Sequence, residues 1–319
     1  MNYLITLTPL KPFFFGGDVT FGELGDKEDG TYLVKSRHFP QQTAILGMIR
    51  KEMLIQKGFL TNRVNGEWID SPLKDEAKDF IGDSKFEFDI EQDFGVLDSI
   101  SPIFLMQNDI KFIKKVAIDR FIYRDGLLEG YNPKEDIYDN FISIDNSKTF
   151  KTEDIFRAIE EVGNSKFDDE NSLFKKTSYT LKDNFKFAFF IESDFELKDA
   201  FITLGGEKSA FKMKVTQSSD RLEYKDNNGY LTLLSDAYID IDIKENCDFA
   251  ITSEISHQSL KNKKHYKKHN EFQKSKKVYL YEKGSIFINP KDKLLKNLNS
   301  PNLQKIGINQ YSYKKGATK

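Results

Sequence analysis

The residues best equipped for chemistry crowd into one short stretch, Ser36-Arg37-His38-Phe39-Pro40-Gln41-Gln42-Thr43, immediately ahead of an apolar run. Histidine titrates nearest neutral pH, so His38 beside Phe39-Pro40 can serve as a general base, for instance in the cleavage of RNA. The competing reading is an imidazole that is merely packed or solvated. The chain has four histidines, His38, His257, His265 and His269, and none lies in an HExxH, HD, Walker-loop or nucleophile-elbow pattern. Carboxylates fall in solvated runs such as Asp168-Asp169-Glu170. No catalytic residue, metal site or cofactor is assigned on this basis.

Three further segments have the composition of anion or nucleic-acid contacts. Gly205-Gly206-Glu207-Lys208 and Lys305-Ile306-Gly307-Ile308-Asn309-Gln310 each link a helix-like segment to a basic strand. Glycine lets the backbone approach a phosphate or ribose closely, and successive N–H groups form an anion-binding concavity. A plain structural turn is the alternative at each. The segment Lys261–Lys277 has eight lysines and two histidines around Tyr266 and Phe272. Its Lys263, Lys264, Lys267 and Lys268 make a possible polyanion loop, since lysines neutralise phosphates and interleaved aromatics can stack on bases. The loop Lys11–Gly25 contains Phe13-Phe14-Phe15, which reads as core and edge packing rather than a stacking platform.

Charge is unevenly distributed. From Lys261 onward there are 16 Lys and three acids, a balance of +13, which leaves −15 for the preceding 260 residues at the overall net charge of −2. Such asymmetry suggests a polyanion partner for the basic part, the alternative being a solvated lysine-rich face. The 319 residues suffice for two domains, and 28 Phe and 14 Tyr supply real cores. A single cysteine, Cys247, excludes an intrachain disulfide framework. The start "MNYLITLTPLKP" lacks signal-peptide character and no apolar run reaches membrane-spanning length, so a cytoplasmic protein without membrane contact is expected.

The elements that must position these residues follow from periodicity. A strand is expected from about Asn2 to Leu10, then a helix with Pro40 at its first position, apolar residues Ile45, Met48, Ile49 and Met53, and Gly58 as its C-terminal cap. Gly47 inside that helix costs about 1 kcal/mol relative to alanine, so a close approach to its backbone is expected there, by packing against the sheet or by passage of a ligand backbone. "NRVNGEW" reads as a hairpin or turn, and "SISPIFLM" and "IKFIKKVAI" as strands. Residues 120–180 read as a hydrophilic insertion with a short helix near Glu153–Val162. The strand "NFKFAFFIES", a helix over "DFELKDAFITL" and the strand "FKMKVTQ" close a first unit. A second begins with "YLTLLSDAYIDIDI" and "DFAITSEI", continues through a hairpin "KVYLYEKGSIFI" turning at Lys283-Gly284, and ends on a helix and a basic strand. The expected fold is α+β, two tandem ferredoxin-like domains with long insertions, over 1–218 and 219–319.

The segments "LTPLKPFFFGG", "HFPQQTAILGMIR", "LGGEKSAFKM" and "VYLYEKGSIFI" resemble the third-subunit family of the Cmr complex, the type III-B CRISPR effector, within the RAMP superfamily of tandem ferredoxin-like RNA-binding proteins. The run Phe39-Pro40, Thr43, Gly47 and Arg50 is its most specific part. The resemblance implies a subunit that is not itself the nuclease. It would hold the 5′ handle of the CRISPR RNA and bridge the large polymerase-cyclase-like subunit to the backbone RAMP subunits, meeting target RNA indirectly, in antiviral defence. Carried onto this chain, it points to Arg37, His38, Gln41, Gln42 and Thr43 at the helix mouth and Arg50 on the helix. Gly205, Gly206, Glu207 and Lys208 would form the first RNA-binding turn, and Gly307, Asn309 and Gln310 the second. Lys208 stands where an arginine would grip phosphate bidentately, which weakens specificity at that contact.

Two other readings remain open at this point: a ribonuclease of the same superfamily that processes CRISPR RNA precursor with His38 as base, and a protein–protein adaptor that makes no RNA contact.

Overall fold

The structure is a computed structural model that describes residues 1–16, 19–21, 32–60, 63–64, 67–68, 74–83, 85–116, 122–124, 126–132, 139–164, 173–224, 230–258, 260–263 and 271–314. Among these residues the chain is sheet-rich with few helices, a mixed α+β fold. The strand Asn2–Pro9 lies at the heart of the largest sheet, where Tyr3, Ile5 and Leu7 alternate inward. It pairs antiparallel with Lys186–Ser193 on one side, Ile5 opposite Phe189, and with Ala210–Gln217 on the other, Ile5 opposite Val215. Phe104–Gln107 and Leu97–Ile100 both pair with Lys186–Ser193, separated by the bend at Ser101-Pro102-Ile103. Ile110–Lys114, Asn140–Ser143 and Thr149–Lys151 extend the sheet beyond Phe104–Gln107, and Ala200–Thr203 forms the far edge.

The long helix spans Gln42–Lys57 and seats Ile45, Ile49 and Met53 in the core beneath that sheet. Gly58, in the left-handed conformation at φ 80°, returns its N–H to the last turn, as a glycine cap should. The helix begins at Gln42 with Gln41 as N-cap, so Pro40 precedes the helix rather than opening it. Gly47 faces open space, with nothing within 4 Å of where a Cβ would stand, so close packing on the sheet is not its reason. Phe13 and Phe15 are buried in the core, as their reading as packing residues requires.

A second, smaller sheet runs in the order Phe249–Ile251, Ile286–Ile288, Tyr230–Leu233, Tyr311–Ser312. Leu231, Leu233 and Phe287 pack there against Leu294 and Leu298 of the helix Asp292–Leu298. Pro301 opens a separate short helix, Pro301–Lys305, whose Leu303, with Ile306 and Ile308 beyond it, enters the core of the large sheet. The large sheet's last strand ends at Gln217 and the small sheet's first begins at Tyr230.

Three further expectations about local structure differ from the fold. Over Glu153–Val162 only Thr152–Ile155 is helical; Phe156–Asn164 is a strand paired antiparallel with Leu173–Leu181, which pairs in parallel with Tyr32–Lys35. Cross-strand pairing wins over helical propensity there, with Glu161 opposite Lys176 and Glu160 3.0 Å from Lys175. The segment from Asp194 to Leu204 is irregular and then the edge strand Ala200–Thr203, because Ala210–Gln217 offers a free ladder and Asp199 Oδ1 accepts the Val215 N–H at 2.7 Å.

The strands of "KVYLYEKGSIFI" do not pair with each other. Val278–Tyr281 pairs with Glu254–His257, whereas Ile286–Ile288 enters the small sheet. In the lysine-rich segment, Leu260–Lys263 and Glu271–Lys274 form an antiparallel pair, with Lys263 ending the first strand. Lys264, Lys267 and Lys268 lie outside the described residues.

Two complete ferredoxin-like units are therefore not displayed. Each sheet keeps a helix in only one of its two crossovers, the large sheet in the first and the small sheet in the second.

Candidate nucleic-acid interface

The helix mouth sits at the junction between the two halves of the chain. Arg37 donates through Nη2 to the Ser256 carbonyl and, at 3.0 Å, to Ser256 Oγ, while its own N–H donates to the Gly16 carbonyl. Thr43 Oγ1 lies 2.9 Å from His257 Nε2. Gln42 is buried and donates to the Ser101 carbonyl at 2.8 Å. Gln41 caps the helix through its carbonyl and lines the cavity described below.

His38 is held between two rings, with Phe156 at 4.6 Å and Tyr179 at 4.4 Å between centroids. Burial, reinforced by the cationic Lys114 and Lys35, lowers its pKa to about 4. His257 is likewise lowered to about 4 by burial and the neighbouring Arg37. Both imidazoles are thus neutral at pH 7.

Two connected spaces open here. A cavity of about 150 Å³ is lined by Arg37, His38, Phe39, Pro40, Gln41, Lys114, Asp236, Glu282 and Lys283, among others. A wider cleft of about 430 Å³ shares His38, Lys114 and Thr152 with it and adds Lys35, Asp139, Glu153, Phe156 and Tyr179. Lys114 pairs with Glu282 at 2.6 Å, and Lys283 places its ammonium 3.9 Å from the centre of the Phe39 ring. Cations beside aromatic faces suit a phosphate backbone with its bases, since the cations meet phosphate and the rings offer stacking surface.

The remaining sequence-named residues fall elsewhere. Arg50 is buried; it donates to the Asp83 carbonyl at 2.5 Å and the Asp93 carbonyl at 3.2 Å and lies over Phe94. Gly205 packs on the Phe13–Phe15 loop, where a Cβ would stand 2.5 Å from the Phe14 carbonyl oxygen, and Gly206 donates to that oxygen at 2.7 Å. Glu207 and Lys208 follow with positive φ and exposed side chains, Glu207 lying 3.8 Å from Lys176.

Gly307, at φ 79°, packs on Ser101 and Gln42, so the second turn lies against the helix mouth. Asn309 is fully buried, accepting the Tyr238 N–H at 2.7 Å, and Gln310 donates to the Gln304 carbonyl at 3.0 Å. The structure thus gathers Arg37, His38, Gln41, Gln42, Thr43 and Gly307 at the junction. It sets Arg50 in the core and the first turn against Phe14.

Sequence reading missed Lys35, Lys114, Tyr179, His257 and Lys283. Lys283-Gly284 had a local signal, its turn chemistry, and Lys114 ends a strand legible in the sequence; Lys35, Tyr179 and His257 come from strands whose pairing is long-range.

No protein-family model and no curated protein matches the chain. Solved structures do. A chain of the cryo-EM structure of the Type III-B Cmr-beta bound to cognate target RNA is 14% identical, with 99% of each chain covered and a TM-score of 0.57. A chain of the same assembly bound to cognate target RNA and AMPPnP, state 1, is also 14% identical, covering 98% of this chain and 96% of that one at a TM-score of 0.53. The chain shares the fold of a Cmr subunit along its full length, in line with the resemblance read from its segments.

Proposed function

We propose that this chain is an RNA-holding, non-catalytic subunit of a type III CRISPR RNA-guided effector acting in antiviral defence. It grips the 5′ handle of the CRISPR RNA and bridges the large polymerase-cyclase-like subunit to the backbone RAMP subunits, meeting target RNA indirectly. The observation that carries this reading is the pair of adjoining spaces at the junction, one lined by Lys114, Lys283, His38 and Phe39 and the other by Lys35, Lys114, His38, Phe156 and Tyr179, on a fold matched end to end by a Cmr-beta chain. In this reading each sheet is a ferredoxin-like unit with helices in only one of its two crossovers. A histidine held at a pKa of about 4 is a weak proton acceptor at neutral pH, which supports a holding rather than a cleaving role for His38.

The test is a pull-down of the chain from its host with sequencing of the RNA that accompanies it. Short RNAs with one shared repeat-derived 5′ end, together with other RAMP-like proteins, are the expected result. Precursor cleavage by the isolated chain that is lost in His38→Ala would overturn the non-catalytic reading. No RNA above background would leave the adaptor.

A further inference from the structure

Lys283 sits at the turn where Val278–Tyr281 leaves for one sheet and Ile286–Ile288 enters another. The residue is 7% exposed; among the described residues no hydrogen bond or ion pair is formed by its Nζ, and that atom is not sealed from solvent. The ammonium has only the Phe39 face, while the Lys283 backbone N–H donates to Asp236 Oδ1 at 3.0 Å. One cation–π contact leaves an ammonium's three donors unsatisfied, so Nζ has donor capacity to spare toward the cavity that Lys283 lines.

The cavity it lines has the charge and size of a receptor. Arg37, Lys114 and Lys283 face Asp236 and Glu282, a net charge of +1 with His38 neutral. Glu282 is already committed to Lys114, and Arg37 to Ser256. A space of about 150 Å³ holds a tetrahedral anion with water around it. We propose that this cavity receives a single phosphate group bearing one negative charge, a nucleic-acid phosphodiester, with Lys283 as its principal donor.

The shared wall of His38, Lys114 and Thr152 gives the rest of the strand a path into the wider cleft. Burial also holds the Lys283 pKa below its ordinary value, and an anion in the cavity would reverse that shift. The inference deepens the RNA-holding reading by naming one contact within it, yet an anion site can stand without that reading.

The test uses the full chain and its Lys283→Met and Lys283→Arg variants, with Lys283→Gln replacing the methionine should that variant not fold. Thermal unfolding is followed with inorganic phosphate against chloride at matched ionic strength, and binding of a single-stranded RNA is followed across a salt series. Phosphate is expected to raise the melting temperature of the wild type and Lys283→Arg but not Lys283→Met. RNA affinity should fall about tenfold in Lys283→Met, with the slope of log K against log salt smaller by about 0.7.

If phosphate discriminates but no form binds RNA, the anion site stands and the RNA-holding reading falls. If all forms bind RNA alike and phosphate protects them alike or not at all, the RNA-holding reading stands and this inference is overturned.

Discussion

Thr43 Oγ1 lies 2.9 Å from His257 Nε2, so the first turn of the long helix is tied directly to a strand of the second half. With His257 neutral, Nε2 can accept the threonine proton; protonation would turn it into a donor beside Arg37. The junction that forms the candidate interface therefore depends on an uncharged imidazole.

That dependence sets a pH response. The folded pKa of His257 is lowered to about 4, below its ordinary value, so the unfolded chain binds more protons between these values and stability rises with pH across the window. The contribution is fully present above about pH 6.5 and is lost as pH falls toward 4, worth up to roughly 3 kcal/mol. Melting temperatures from pH 7.5 down to 4.5 should decline, and His257→Gln should flatten that decline; an unchanged slope would refute the assignment.

Gly47 and Gly307 should respond oppositely to alanine. Gly47 is helical with open space beside it, so Gly47→Ala should stabilise the chain by about 1 kcal/mol. Gly307 sits at φ 79°, and a Cβ there would stand 2.6 Å from the Ser101 carbonyl oxygen, so Gly307→Ala should cost about 3 kcal/mol. Urea midpoints of the two variants decide it. Weakened RNA binding in a stabilised Gly47→Ala would show that a ligand passes that helix face.

Arg50 tests whether a sequence-named RNA contact is structural. Both its amino groups serve the Asp83 and Asp93 carbonyls, so Arg50→Ala should destabilise by about 3 kcal/mol. Its folded fraction, measured below the melting transition, should bind RNA as the wild type does. A loss of RNA affinity without a loss of stability would restore the contact reading.

Lys35 lines the outer cleft and is exposed, so its charge can be removed at little cost to the fold. Lys35→Ala should weaken single-stranded RNA binding about threefold to tenfold and reduce the salt slope by about 0.7. An unchanged slope in a fluorescence-anisotropy salt series would move the RNA path away from this cleft.

Much of the local architecture was legible in the residues themselves. The alternation of Tyr3, Ile5 and Leu7, the run Ile45 to Met53 closed by Gly58, and the apolar strands around Phe189 and Met213 each satisfy their period within one segment. The helix mouth was legible too, because His38-Phe39-Pro40 marks a break that any fold must honour. What failed were segments whose two periods compete. "FRAIEEVGN" can form a helix, and becomes a strand because Leu173–Leu181 lies alongside.

By itself the sequence determined which stretches are apolar on one face, where the chain must turn, and that its cations gather late. Only the tertiary structure decided that Val278–Tyr281 and Ile286–Ile288 part into different sheets, that Lys283 is buried against Phe39, and that Arg50 and Asn309 serve the core. The reason is physical: periodicity is encoded over a few residues. Partner choice, burial of a charge and the meeting of Thr43 with His257, 214 positions apart, depend on contacts that no local pattern records.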